Sequence, residues 1–271
     1  MHPVITAFVC THVGKVRRNN EDNFFMNGLC FDPAVEKKGF LRRREYEEPV
    51  QLYAVCDGMG GQDAGEEASK RAVALMGSLI TDLRSGEETR AAVNRYAALA
   101  NDAVAALKTD SGTTLVLLCI RGDTATIAWL GDSRAYLLRD GKLLRLTIDH
   151  TEEQRLIQIG LPAAGGRARS ELTRYLGMDV PGLVVTPSYS KDVFLRRRDA
   201  FLLCSDGLTN MIGEQRIAEI LDASDYPARD LVDAALLAGG HDNATALVVD
   251  VERLAKPFSL FGLKHSMIGA T

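Results

Sequence analysis

A chain of 271 residues, 46% hydrophobic and 25% charged, is long enough to bury a large core. Its 32 basic residues against 36 acidic ones leave a net charge of −4, which excludes a general electrostatic pull toward nucleic acid or an anionic membrane. No stretch reaches the ~18 uninterrupted apolar residues of a membrane span, and the basic residues of "MHPVITAFVCTHVGKVRR" follow its apolar segment, the wrong order for a secretory signal. The five cysteines are an odd number without a C-x-x-C pair. Cys10, Cys56, Cys119 and Cys204 sit at or near the ends of apolar runs, so reduced core thiols and a cytoplasmic location are expected.

In chain order, short runs rich in Val, Ile, Leu and Phe predict strands over 4–10, 23–27 and 51–56, with 31–49 between the last two. That segment, "FDPAVEKKGFLRRREYEEP", is charge-dense with a proline near each end and reads as a long hairpin connection. A helix follows over 64–83, with Ala68, Ala72, Leu75, Met76 and Leu79 on one face. A second covers 87–108, with Val93, Ala97, Ala100 and Val104 in one stripe. Strands are predicted at 113–120, 124–130 and 134–139, then a helix, a loop broken at Gly165-Gly166 and a short second helix within 152–176. Strands at 183–189 and 200–205, helices at 214–222 and 228–238, and a last strand at 244–251 complete the pattern. Consecutive strands argue for antiparallel sheets with helices outside them. No repeat or linker divides the chain; the tail 255–271 follows the last strand and carries Phe258, Leu260, Phe261 and Leu263.

Several apolar runs end at a carboxylate: "YAVCDG" at Asp57, "AWLGDS" at Asp132 and "LLCSDG" at Asp206. Asp242 in "GGHDNAT" and Asp22 in "NNEDNFF" stand just before strands. A single such aspartate is ordinarily a turn residue, but five at strand ends suggest a shared site. Clustered carboxylates repel, and they are stable together only around cations or shared protons. With no His or Cys pair at ligand spacing, the donors are all oxygen, a set suited to Mg2+ or Mn2+. Two such ions can share a water and hold it for attack on phosphorus. The residues alone lead to an oxygen-liganded metal hydrolase and leave its substrate open.

The segments "GKVRRNNEDNF", "VCDGMGGQDAGEEAS", "SGTTL", "WLGDSRAYLL", "LTIDHT", "LTRYLG", "LLCSDGLTN" and "GGHDNATALVV" occur in an order that resembles the metal-dependent type 2C serine/threonine protein phosphatases, most closely their bacterial members. The resemblance runs from about residue 4 to residue 252. With the strand order it implies an α+β fold, a four-layer α/β/β/α sandwich of two mostly antiparallel sheets flanked by helices. It also implies a catalytic domain over 1–254, with an insert at 31–49, a shortened flap at 151–171 and a tail at 255–271.

The activity it implies is hydrolysis of phosphoserine and phosphothreonine by direct attack of a bridging metal-bound hydroxide. Asp57 would bridge two Mn2+ or Mg2+ ions, with the carbonyl of Gly58 on the second, and Asp206 and Asp242 would complete the first. Glu21 and Asp22 would act through coordinated waters, Arg17 would clamp the substrate phosphoryl group, and Asp132 would hold a weaker third ion. Phosphorylated proteins, among them a cognate serine/threonine kinase in a signalling pathway, are the implied partners of a monomer.

The chain departs from the pattern in places. Met59 stands where animal members carry a histidine proposed as the general acid, so no protein acid is assigned. Gln62 replaces the histidine of the "GGH" motif, and the insert 31–49 is longer than is typical of the family. Arg18, His150, His241, Cys204 and the run Arg196–Arg198 read as structural or solvated residues. Two further readings use the same sequence: a phosphatase of small phosphorylated metabolites, and a catalytically dead module that binds kinases or phosphoproteins.

Overall fold

The computed structural model describes residues 2–32, 39–60, 64–161 and 171–254. The first half contains β1 (Val4–His12), β2 (Asp22–Met26), β3 (Leu29–Cys30), β4 (Gly39–Tyr46), β5 (Val50–Met59), α1 (Ala64–Ala74), α2 (Met76–Arg84), α3 (Thr89–Ala105) and β6 (Gly112–Thr113). The central meander is β7 (Leu115–Arg121), β8 (Thr124–Leu130), β9 (Arg134–Arg139) and β10 (Lys142–Arg145), followed by α4 (Glu152–Gln158). The last part comprises β11 (Ser188–Tyr189), β12 (Val193–Phe194), β13 (Ala200–Cys204), α5 (Asp206–Thr209), α6 (Glu214–Ala223), α7 (Pro227–Leu237) and β14 (Ala244–Arg253).

Among the described residues one sheet has the order β10-β9-β13-β14-β1-β4 and the other β11-β8-β7-β5-β2-β3, with β12 on β8 and β6 on β5; every pairing is antiparallel. The central strands are apolar at nearly every position because both their faces are covered. Along β5, Leu52, Ala54 and Cys56 pack under α1–α3, while Tyr53 and Val55 point between the sheets. Along β14, Ala244, Ala246 and Val248 face α5–α7, while Leu247, Val249 and Val251 enter the inter-sheet core. Three apolar layers thus separate helix, sheet, sheet and helix, the expected four-layer sandwich. Cys10, Cys56, Cys119 and Cys204 are buried free thiols, and Cys30 is an exposed one.

The structure corrects several expectations. The insert 31–49 is more than a connection: β4 lies within it and extends the sheet beside β1 from Ile5↔Tyr46 to His12↔Gly39. The helix over 64–83 is two, separated at Leu75, whose carbonyl accepts from both Ser78 and Leu79 N–H. Of the strand at 183–189 only Ser188–Tyr189 forms. Of the second helix in 152–176, residues 171–176 are not helical, and Leu172 and Leu176 instead make isolated bridges to Thr151 and Thr113. Gln62, residues 162–170 of the flap and the tail 255–271 lie outside the described residues.

Candidate metal centre

Both sheets end on the same side of the molecule. Asp57 lies near the end of β5 with Asp22 opposite it in the β2 register. Asp206 follows β13 and opens α5, Asp242 stands two residues before the start of β14, and Asp132 stands where the chain crosses from β8 in one sheet to β9 in the other. Arg17, Glu21, Asp57, Gly58, Asp132, Asp206 and Asp242 line a single cavity of about 360 Å3, together with Met59 and Leu172.

Polar contacts, most of them part-buried, fix this rim. Asp57 N–H donates to Thr114 Oγ1 at 2.9 Å, and Thr113 Oγ1 donates to the Asp57 carbonyl at 3.0 Å. Asn210 donates to Asp206 Oδ2 at 3.0 Å. Asn243 ties the Arg17–Glu21 loop to β14: its Oδ1 accepts from Glu21 N–H at 2.8 Å, and its Nδ2 donates to the carbonyls of Val13 and Asn19. Two glycines are required by close approach. A Cβ at Gly58 would meet the Gly65 carbonyl oxygen at 2.1 Å and that of Glu21 at 2.6 Å, and one at Gly207 would meet the Asn243 oxygen at 1.9 Å.

Burial dominates the electrostatics. Desolvation raises Asp57 well above the usual carboxylate range, and the charges of Asp22, Asp206, Asp132 and Asp242 raise it further. Asp132 is pushed up to about 7 by burial, then by Asp206 and Asp149. Asp206 is raised by burial and then by Asp242. Burial works against the charge of Arg17, yet its 2.8 Å ion pair with Asp242, with help from Glu21 and Asp57, raises its pKa overall.

Asp22 stands apart from its predicted companions. It is 1% exposed and lies behind the cavity wall, with Oδ2 accepting from Ser205 at 2.7 Å and Thr245 at 2.6 Å. Its Oδ1 is buried with no hydrogen-bond partner among the described residues, and burial pushes the group up to about 7. Among the described residues no three His, Cys, Asp or Glu side chains are closed up into a ready ion cage; the carboxylates border the cavity instead of meeting at a point. The donor set still fits a hard divalent ion: all oxygen, strongly acidic, desolvated, and including one orphaned carboxylate oxygen. Of the residues read as structural, Cys204 is fully buried, and Arg18, His241 and Arg196–Arg198 are exposed and off the cavity. Sequence reasoning missed Asn243, Thr114, Ser205 and Thr245, whose only signal was position beside a motif aspartate or within "SGTTL".

The fold and site define a class. The sequence model of the protein phosphatase 2C family matches residues 12–244, and the chain belongs to that family. It is 34% identical over 247 residues to the serine/threonine protein phosphatase PstP of Mycobacterium tuberculosis, which covers 88% of this chain and 43% of PstP, so the chain spans less than half of that relative's length. The serine/threonine phosphatase stp of Listeria monocytogenes is 33% identical over 257 residues, 89% of this chain and 93% of stp. A crystal structure of the M. tuberculosis PstP phosphatase superposes with a TM-score of 0.75 at 32% identity, covering 92% of this chain and 100% of that one. The PstP catalytic domain in complex with two manganese ions matches at a TM-score of 0.73 and 30% identity, again over 92% and 100%.

Proposed function

We propose that the chain is a metal-dependent phosphoprotein phosphatase acting on phosphoserine and phosphothreonine, with residues 1–254 as its catalytic domain. The observation that carries this reading is the meeting of Asp57, Asp206 and Asp242 with Arg17 on one cavity. Asp57, with both sheets' carboxylates around it, would be shared by two Mn2+ or Mg2+ ions. Asp206 and Asp242 would complete one site and the Gly58 carbonyl the other; Glu21 and Asp22 would act through waters, and Asp132 would hold a weaker third ion. When bound, two such ions lower the pKa of the water between them so that it can attack phosphorus in line.

The chain's own groups orient the substrate. The Arg17 side chain is 52% exposed, and its planar fork can exchange part of its bond to Asp242 for phosphoryl oxygens. Thr113 and Thr114 hold the Asp57 backbone, so its carboxylate is positioned before substrate arrives. Met59 lines the same wall and offers no proton, leaving protonation of the leaving group to water.

Phosphorylated proteins, including a cognate serine/threonine kinase, are the substrates and partners this reading implies for a cytoplasmic monomer. Among the described residues no helix is long and apolar enough to cross a membrane. The test is phosphate release from a phosphothreonine peptide with Mn2+, with chelator, and from Asp57→Asn. Turnover is expected only in the first; equal rates in all three refute the reading. Faster turnover of sugar or nucleotide phosphates than of phosphopeptides would move the activity to small metabolites.

A further inference from the structure

The Thr151–Leu172 bridge belongs to two cavities at once. Leu172 lines the acidic one; Thr151, Thr173 and Arg174 line a second of about 540 Å3. His150, in that second wall, accepts at Nδ1 from Gly131 N–H, the residue before Asp132. The cavities therefore share a partition one bridge thick.

The second cavity has the opposite polarity. Arg174 is half-buried in its wall, donating from Nη1 to Ser188 Oγ at 2.9 Å and from Nη2 to the Thr186 carbonyl. Among the described residues no carboxylate pairs with it. Asp149, in the same wall, is taken by Arg134 and Arg145, and Glu152 holds Arg155 through both its oxygens. Burial alone lowers the Arg174 pKa, with no anion opposing it. A guanidinium that has lost water without gaining a counter-charge favours an oxyanion beside it.

A second donor faces the same space. With His150 Nδ1 accepting, the ring proton of the neutral tautomer lies on Nε2, which reaches Ser188 Oγ at 3.0 Å. Burial, then the charge of Arg174, lowers His150 to about 4 and keeps the ring neutral. Ser188 Oγ thus accepts from both Arg174 and His150, and its own O–H is left to donate into the cavity. Trp129, stacked on His150 with centroids 6.0 Å apart, supplies an apolar side.

We propose that this cavity is an anion subsite taking a phosphate-class oxyanion on Arg174 and Ser188, beside the site of hydrolysis. The anion it suits is one carried by the substrate chain, a second phosphoresidue two to five positions from the one attacked, roughly 7–17 Å of extended backbone at ~3.3 Å per residue. This part rests on the phosphatase reading; the anion chemistry does not.

The experiment compares kcat/KM for two phosphothreonine peptides of one sequence, the second bearing a non-hydrolysable phosphonate three residues away. The wild type is expected to prefer the doubly charged peptide at least about tenfold, and Arg174→Gln to reduce that preference below about twofold. Ser188→Glu, which sets a carboxylate beside Arg174, should do the same, and it carries the test if thermal unfolding shows that Arg174→Gln does not fold. In parallel, calorimetric titration with inorganic phosphate reads the subsite without catalysis, as a binding component lost in Arg174→Gln. Phosphate binding without peptide preference supports the subsite with free phosphate as its ligand. A wild type that shows no preference for the doubly charged peptide and no Arg174-dependent phosphate binding overturns the proposal. Failure of the phosphatase reading is separate, since it appears as no turnover of the singly phosphorylated peptide by the wild type.

Discussion

Gly207→Ala tests whether the spacing of α5 and β14 sets activity. The new Cβ would lie 1.9 Å from the Asn243 carbonyl oxygen and 3.2 Å from the Asp242 Cβ. Ordinary contact begins near 3.4 Å, so the two backbones must part by about 1.5 Å. Neither side yields cheaply: Asn243 is 5% exposed and bonded to Val13, Asn19 and Glu21, and α5 is anchored by the fully buried Leu208. Overpacking of this kind costs about 1–3 kcal/mol of stability. The same movement separates Asp206 from Asp242, and a displacement of about 1 Å in a reacting constellation costs on the order of 100-fold in rate. Gly77→Ala is the control, since its Cβ meets nothing within 4 Å on the exposed face of α2 and should stabilise by about 0.5–1 kcal/mol. The assay is Mn2+-dependent hydrolysis of an aryl phosphate alongside urea unfolding. A Gly207→Ala protein that unfolds earlier yet keeps wild-type kcat/KM would refute the claim that this spacing matters to the chemistry.

Asn243→Ala removes the three hydrogen bonds that tie the Val13–Glu21 segment to β14, at a cost of about 2–4 kcal/mol; KM for phosphopeptides should rise because the Arg17 loop is untied, which steady-state kinetics will read. Arg139→Leu strands Asp199, a 1% exposed carboxylate that Arg139 grips through both its oxygens, and should destabilise by about 3–5 kcal/mol in urea. His150 gives a pH dependence. The unfolded ring binds a proton near pH 6.5 and the folded ring only near 4, so its stabilisation is whole above 6.5 and is lost as pH falls toward 4. For a half-buried ring this amounts to about 1.5 kcal/mol between pH 7.5 and pH 5, and the stability difference between those pH values should shrink by that much in His150→Gln.

What the sequence disclosed and what it withheld follow from the range of each interaction. Strands buried on both faces, such as β5, β7 and β14, appear as unbroken apolar runs, and aspartates at their ends mark the rim. The strand β4 was hidden because it lies at a sheet edge with Arg42, Arg43 and Arg44 turned to solvent, so its composition resembles a loop's. β10 was hidden for a similar reason, although Asp140 and Gly141, both at positive φ, turn β9 back into it. Asp57, Asp206 and Asp242 could be placed together because each sits in a motif. The burial of Asp22 could not be foreseen, since it depends on Ser205 and Thr245, 183 and 223 residues away. Arg174 and Ser188 share that limit: their partners come from three loops that only the folded chain assembles.

Asp57 lies on a strand of one sheet, Asp206 and Asp242 lie beside the ends of β13 and β14 in the other, and the core of Phe24, Val55, Val116, Phe201 and Leu247 lies between the two sheets. Any slippage of one layer over the other therefore changes the distances across the rim. A cation seated there would act as a rivet through both layers, so loosening the greasy filling far from the rim should weaken the grip on metal before it melts the protein.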